Sequence, residues 1–161
     1  MENNRKEVNC LIERRNLTRI FLWISVLLWM VLIFNLSSQA VGQSNALSTE
    51  IAKTVVVITE KVAPEKATEI DVRELNHLIR KKSHFLVYLV LGILSMGAVR
   101  QSRIYGIKGV VITLLFCSLY AISDEVHQLF VPGRGAQVSD VFIDITGASI
   151  GILGYLGINK L

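Results

Sequence analysis

The sequence predicts an all-α integral membrane protein: a four-helix bundle with a short amphipathic helical insertion between its first and second spans. The chain has 161 residues, of which 52% are hydrophobic, and its mean hydropathy is +0.49. The apolar residues come in blocks instead of following one helix or strand period throughout. Four blocks approach the roughly 20 residues that a helix needs to cross about 30 Å of bilayer hydrocarbon. We therefore expect one polytopic domain and no second globular unit.

The positive charge of the chain lies at the ends of these blocks. A formal net charge of +4 and a pI near 9.2 would also suit a protein that binds nucleic acid. The lysines and arginines flank the apolar blocks and form no aromatic-interleaved face, so we exclude nucleic acid as a partner. Charge in flanking positions sets membrane topology instead. Cys10 and Cys117 have no zinc-ligand spacing, and we expect two reduced thiols.

The N-terminal part of the chain predicts a basic tail and a first span. Residues 1–19 are polar and basic, and residues 20–36 follow without a charge. A cleavable signal peptide also begins with basic residues, but its apolar core is only about 7–15 residues long. The longer block favours a retained span. Cleavage near the small residues Ser37, Ser38 and Ala40 is the alternative.

A polar connection follows, in which we expect a helical insertion over about 48–82. Apolar residues recur at helical spacing from Ile51 through Val55 and Ile58 to Val62, before Pro64 interrupts the pattern. A second helical run covers 70–82. The pattern predicts two short helices on the membrane surface or on the bundle, and a mobile loop is the alternative.

Three further apolar blocks predict the remaining spans. Their expected bounds are 83–99, 104–122 and 140–158. In the last span, Gly147 and Gly151 form a small-xxx-small pattern that lets helices approach closely, and Gly154 extends it. Basic residues in the tail and in the loop after the second span predict that both termini are cytoplasmic. The Arg80–Lys82 run favours the opposite orientation.

The densest group of polar residues lies between the third and fourth apolar blocks, in Ser123–Asp144. Ionisable groups at membrane depth are expensive and mark pairing, relay or binding sites. If the third span stays helical to about Leu129, then Asp124, His127 and Gln128 share one face, and Glu125 lies close enough to pair with Gln128. Pro132-Gly133 then breaks the helix and brings Arg134 into the turn. In the next helix, Asp140 and Asp144 lie one turn apart, on the side of Gly147 and Gly151.

This group of side chains supports three kinds of chemistry. A carboxylate and a histidine at one depth can transfer protons or bind a divalent metal, and an arginine can hold a phosphate or carboxylate through two hydrogen bonds. The residue types identify no particular metal or cofactor. The alternative is an ion-pair network that only closes the end of the bundle. The candidate catalytic residues are Asp124, Glu125 and His127, and the candidate substrate-binding residues are Gln39, His84, Gln128, Arg134, Asp140 and Asp144.

These residues also resemble the signature of one family. SDEVHQLFVPGRGAQVSDVFIDITGASIG is similar to the VanZ-like pattern D-E-x-x-Q-x-F-x-P-x-R followed by D-x-x-x-N/D-x-x-G. KKSHFLVYLVLG resembles the start of the second span in that family, although a neighbouring Asp is missing, and NLSSQAVGQS resembles the end of the first span. Asp144 stands where many relatives carry Asn. The resemblance covers about 20–156, except for 44–80.

The resemblance implies a bacterial multi-pass protein of the cell membrane. The family is named for a protein linked to low-level resistance to teicoplanin, which acts on cell-wall precursors outside the membrane. It therefore suggests an outward-facing polar pocket that binds or modifies an amphiphilic envelope molecule, such as a membrane lipid or a lipid-linked wall precursor, without naming a reaction. A non-enzymatic structural or partner-binding protein is the alternative. A small transporter is a third alternative. No span is broken mid-membrane by Gly or Pro, which argues against a transporter.

Overall fold

The computed structural model describes residues 2–38, 50–51, 54–58, 72–132 and 135–159. Four long helices account for most of them. They are α1 (Glu2–Ser37), α2 (Val72–Gln101), α3 (Gly106–Gln128) and α4 (Val138–Ile158). The described ranges contain no strand, and the predicted all-α bundle is confirmed.

Each helix contains a segment long and apolar enough to cross a membrane. These segments are Glu13–Ser37, Lys81–Gln101, Gly106–Gln128 and Val138–Ile158. The four predicted spans are thus confirmed in number, but all four are longer than expected. α1 begins at Glu2, so the expected tail and the first span form one continuous helix. The sequence up to Ser37 contains no Gly or Pro that would interrupt it.

The insertion between the first two spans differs from its prediction in one respect. The predicted second short helix, 70–82, is not separate, because α2 begins at Val72 and continues into the second span. No Gly or Pro occurs between Val72 and Leu91, so nothing ends the helix at the membrane boundary. The first predicted helix is represented by helical residues 50–51 and 54–58. The rest of it, including Val62 and Pro64, lies outside the described residues.

The most extensive helix contact joins α2 to α4. A Cβ atom on Gly147 would overlap the carbonyl oxygen of Phe85, and one on Gly151 would overlap that of Leu89. The two backbones therefore touch along this side of α4, as the small-xxx-small pattern predicts. Gly154 does not extend the contact, because nothing lies within 4 Å of a Cβ built there.

α1 packs against the other helices through two hydrogen bonds at mid-span. Trp29 Nε1 donates to the carbonyl oxygen of Val87, 2.8 Å away, and Tyr120 Oη donates to that of Met30 at 2.6 Å. The buried apolar core lies between the helices, and many large apolar side chains point outward, where lipid would contact them.

The two ends of the bundle are connected differently. At one end, which we call the turn end, residues 102–105 join α2 to α3. Here Trp23 Nε1 donates to Ser102 Oγ at 3.1 Å, and Arg100 donates to the carbonyl oxygen of Asn159 at 3.3 Å. At the other end, the loop end, residues 38–71 join α1 to α2 and residues 129–137 join α3 to α4.

Candidate functional site

A group of buried polar side chains lies at the loop end of the bundle. All four helices contribute to it. We call it the polar cluster, and its members are Ser37 of α1, His84 and Tyr88 of α2, Asp124 and Gln128 of α3, and Asp144 of α4. His84 is partly buried, and the other five are almost completely buried.

The contribution of α3 follows from its extension to Gln128, as predicted. Asp124 and Gln128 are one turn apart and share a face. Oδ2 of Asp124 accepts a hydrogen bond from Ser37 Oγ at 2.8 Å and one from Gln128 Nε2 at 3.4 Å. One oxygen of Asp124 is thereby bound to two helices, whereas its Oδ1 has no hydrogen-bond partner among the described residues.

The α2–α4 contact brings His84 and Asp144 together. Nδ1 of His84 lies 3.5 Å from Oδ1 of Asp144, and the two side chains are 13% and 1% exposed. The two atoms are close enough to form an ion pair if the imidazole is protonated, but their geometry is not that of a hydrogen bond. Phe85, next in the chain to His84, lies against Gly147, one turn after Asp144. The close contact of Gly147 with α2 therefore positions His84 beside Asp144.

Several polar atoms of the cluster have no hydrogen-bond partner among the described residues. They are Nδ1 of His84, Tyr88 Oη, Oδ1 of Asp124, Oε1 of Gln128, and both carboxylate oxygens of Asp144. A buried polar group without a partner costs about 1–3 kcal/mol. The cluster is thus arranged for additional hydrogen bonds or for ligation. His84, Asp124 and Asp144 each offer a ligand atom, and these atoms lie within 4.8 Å of one another.

A second group of acidic residues lies beside the cluster, where α3 leads into α4. Glu125 Oε1 accepts a hydrogen bond from the backbone N–H of Gln137, so it does not pair with Gln128 as the sequence suggested. Asp140 is buried, as predicted, and its Oδ1 accepts a hydrogen bond from Ser139 Oγ at 3.3 Å. Within the described part of the chain, no lysine or arginine forms an ion pair with these carboxylates or with those of the polar cluster.

The predicted site residue His127 is not part of the cluster. His127 is half-buried, and its ring packs on Phe34 with 4.3 Å between ring centroids. Gln39 and Arg134 lie outside the described residues.

Sequence reasoning did not assign Ser37 or Tyr88 to the site. Tyr88 follows His84 by one turn, which places it on the same face. That spacing was the signal for it. Ser37 belongs to the Ser-Ser-Gln segment that ends the first span, so its signal lay in the resemblance rather than in any periodicity.

A comparison with family models decides the family. The model of the VanZ/LLP1 family matches residues 22–159. This chain belongs to the VanZ/LLP1 family. The resemblance recognised in the central motif is thereby confirmed over nearly the whole chain. A search of curated proteins found no match, and neither did a search of solved structures.

The VanZ/LLP1 motif residues lie where the helices of the loop end meet. Its Asp124 and Gln128 belong to the polar cluster, Asp140 lies beside it, and Asp144 faces His84. The central motif of this VanZ/LLP1 protein therefore supplies residues from two helices to one buried site. Chemically, that site offers one imidazole, one phenol, one hydroxyl, one carboxamide and two carboxylates, with the buried carboxyl groups of Glu125 and Asp140 beside it.

Proposed function

We propose that this VanZ/LLP1 protein binds the polar head of an amphiphilic cell-envelope molecule in the polar cluster. One observation carries the proposal: buried side chains from three helices present unpartnered polar atoms at one level of the bundle. Each such atom reduces stability unless something binds it. A head group with both donors and acceptors would satisfy the carboxamide of Gln128, the phenol of Tyr88 and the oxygens of Asp144 together.

The surface around the loop end would hold the apolar part of the same molecule. Phe130, Val138 and Phe142 are 80%, 72% and 67% exposed, and they lie within about two turns of the cluster along the chain. A membrane lipid or a lipid-linked wall precursor has the matching division between polar head and apolar chains. With the termini in the cytoplasm, as flanking charge predicts, the cluster would face the outside of the cell.

Further roles follow for the remaining candidates. In this proposal Arg134 and Gln39 would contact anionic or polar groups of the head. Asp124, which lines the cluster, would serve for proton transfer to a bound head group, with Glu125 and His127 flanking it. A carboxylate is effective in this role when it lies within hydrogen-bond reach of the transferred proton.

The test is susceptibility to teicoplanin in a sensitive Gram-positive host. We would compare the wild type with Asp124→Asn and Arg134→Ala at equal membrane abundance. The control is Leu153→Ala, which shortens a 65% exposed side chain of α4 away from the loop end. We expect protection by the wild type and the control, and its loss in both site variants. Equal protection by all four proteins would contradict the role of the cluster. Absence of protection by the wild type would contradict the link to glycopeptide resistance.

One set of contacts favours a second function, a structural lock. The Ser37–Asp124 hydrogen bond, the His84–Asp144 pair and the Gln137–Glu125 hydrogen bond join the helices to one another at this end. In a lock, removing one charge of the buried pair would cost about 3–5 kcal/mol. Exchanging the partners, with His84→Asp and Asp144→His together, would then restore stability. A binding site would lose its ligand in both the single and the exchanged variants.

A further inference from the structure

We propose that His84, Asp124 and Asp144 bind a divalent transition-metal ion, zinc or manganese, between α2, α3 and α4. The ion would lie in the same polar cluster that we propose for the head group, among the same unpartnered atoms, but its binding does not depend on the identity of the envelope molecule. It rests on the placement of three potential ligands, on the unpartnered atoms beside them and on the balance of charge at this depth.

The three side chains have the spacing of a metal site. Their ligand atoms all lie within 4.8 Å of one another. Two ligand atoms that are each about 2.1 Å from zinc, at a tetrahedral angle, lie about 3.4 Å apart. His84 Nδ1 and Asp144 Oδ1 are 3.5 Å apart. Small side-chain rotations would bring Asp124 to the same distance.

The hydrogen bonds around Asp124 also fit ligation. Its Oδ2 is bound by Ser37 and Gln128, which leaves Oδ1 unpartnered. Outer hydrogen bonds of this kind orient a ligating carboxylate toward its metal. Ser37 and Gln128 would therefore act as positioning residues, and Oδ1 of Asp124 would be the ligand atom.

Two more buried groups point to an occupant. Tyr88 and Gln128 are both 0% exposed, and Tyr88 Oη and Gln128 Oε1 have no hydrogen-bond partner among the described residues. Gln128 contacts Asp124 directly, and Tyr88 follows His84 by one turn on the same face of α2. These atoms would complete the coordination sphere or hold a metal-bound water.

The charge balance favours a divalent ion over a proton. Two carboxylates inside a membrane span are expensive unless they are neutralised, and no described lysine or arginine pairs with them. A protonated His84 would compensate only one of them. A divalent ion with two aspartates and a neutral imidazole is neutral overall.

The ligand types select the class of ion. Imidazole suits zinc and other transition metals, whereas carboxylates also suit manganese. Calcium would require about six to eight oxygen ligands, and magnesium retains most of its waters. The described residues of the cluster include no thiolate, which disfavours copper(I).

The experiment measures metal binding by the full chain in detergent, after removal of the purification tag. Apo-protein would be titrated with zinc chloride or manganese chloride by isothermal calorimetry, and the metal retained after gel filtration would be quantified by mass spectrometry. The variants are His84→Ala and Asp144→Asn. The control is His77→Ala, which removes the same type of side chain from the same helix, outside the membrane-spanning segment.

We expect about one ion per wild-type chain, affinity lowered by more than about 100-fold in both site variants, and unchanged binding in the control. No binding of either metal to the wild type would overturn the proposal, and so would unchanged affinity in His84→Ala. If a variant fails to fold, X-ray absorption on the zinc-loaded wild type decides the matter. A shell of nitrogen and oxygen at about 2.0–2.2 Å supports the site, and a sulfur shell rejects it.

Discussion

Replacing Gly151 by alanine places a methyl group at the closest contact between α2 and α4. Apart from the overlap with the carbonyl oxygen of Leu89, the new Cβ would lie 3.0 Å from its carbonyl carbon and 3.2 Å from the backbone nitrogen of Ile93, whereas ordinary contacts are 3.4–4 Å. All three are backbone atoms, which cannot rotate away. The two helices must therefore separate by at least several tenths of an ångström. Overpacking of this kind costs about 1–3 kcal/mol.

Gly154→Ala is the matched control on the same helix, since nothing lies within 4 Å of its added Cβ. Alanine also raises helix propensity by about 1 kcal/mol. Both variants gain this contribution, so their difference isolates the contact between α2 and α4. We expect Gly151→Ala to unfold with a free energy about 1–3 kcal/mol lower than that of Gly154→Ala.

The assay is reversible unfolding in mixed micelles with increasing dodecyl sulfate, followed by circular dichroism. The expected order of stability places Gly154→Ala at or above the wild type and Gly151→Ala at the bottom. If Gly151→Ala matches or exceeds Gly154→Ala, the backbone contact that we describe does not hold α2 against α4, and the placement of His84 beside Asp144 loses its explanation.

Two further predictions concern the position of α1. Ser37→Ala removes the hydrogen bond to Asp124 and should lower the free energy of unfolding by about 1.5–3 kcal/mol, because the acceptor is a carboxylate. The control Ser38→Ala, at an exposed position, should change the free energy of unfolding by less than about 0.5 kcal/mol. Equal effects of the two variants in the same unfolding assay would contradict a stabilising hydrogen bond between Ser37 and Asp124. Trp29→Phe removes the indole N–H donor to Val87 and should cost about 1 kcal/mol, with a lower melting midpoint; an unchanged midpoint would show that this bond does not hold α1.

Much of the fold can be predicted from the sequence because a helix that crosses lipid must be long and mostly apolar. Blocks of apolar residues give the number of spans, since every backbone polar group in hydrocarbon must be paired within a helix. The spacing of Gly147 and Gly151 identifies the side of α4 that faces another helix. The same argument places Asp144 on that side.

Other features depend on contacts that periodicity does not encode. From Ile20 to Leu36, α1 is apolar on all sides, so the sequence does not indicate which side faces the bundle. The bond between Ser37 and Asp124 joins residues far apart in the chain and follows only once α1 is docked. Glu125 accepts a hydrogen bond from Gln137 because the start of α4 lies beside the end of α3. The periodicity of each helix taken alone does not predict this contact.

The two ends of the bundle are connected differently, so α4 could tilt about its C-terminal end. Its last turn is fixed at the turn end, where Arg100 bonds to Asn159 and lies over the ring of Tyr155 at 6.0 Å. Asp144 lies about 20 Å away along the same helix. A tilt of about 5° around the turn end would move Asp144 by about 2 Å while leaving Tyr155 almost in place. Bilayers of different thickness change helix tilt, so we expect the spacing of the polar cluster to vary with the thickness of the surrounding membrane.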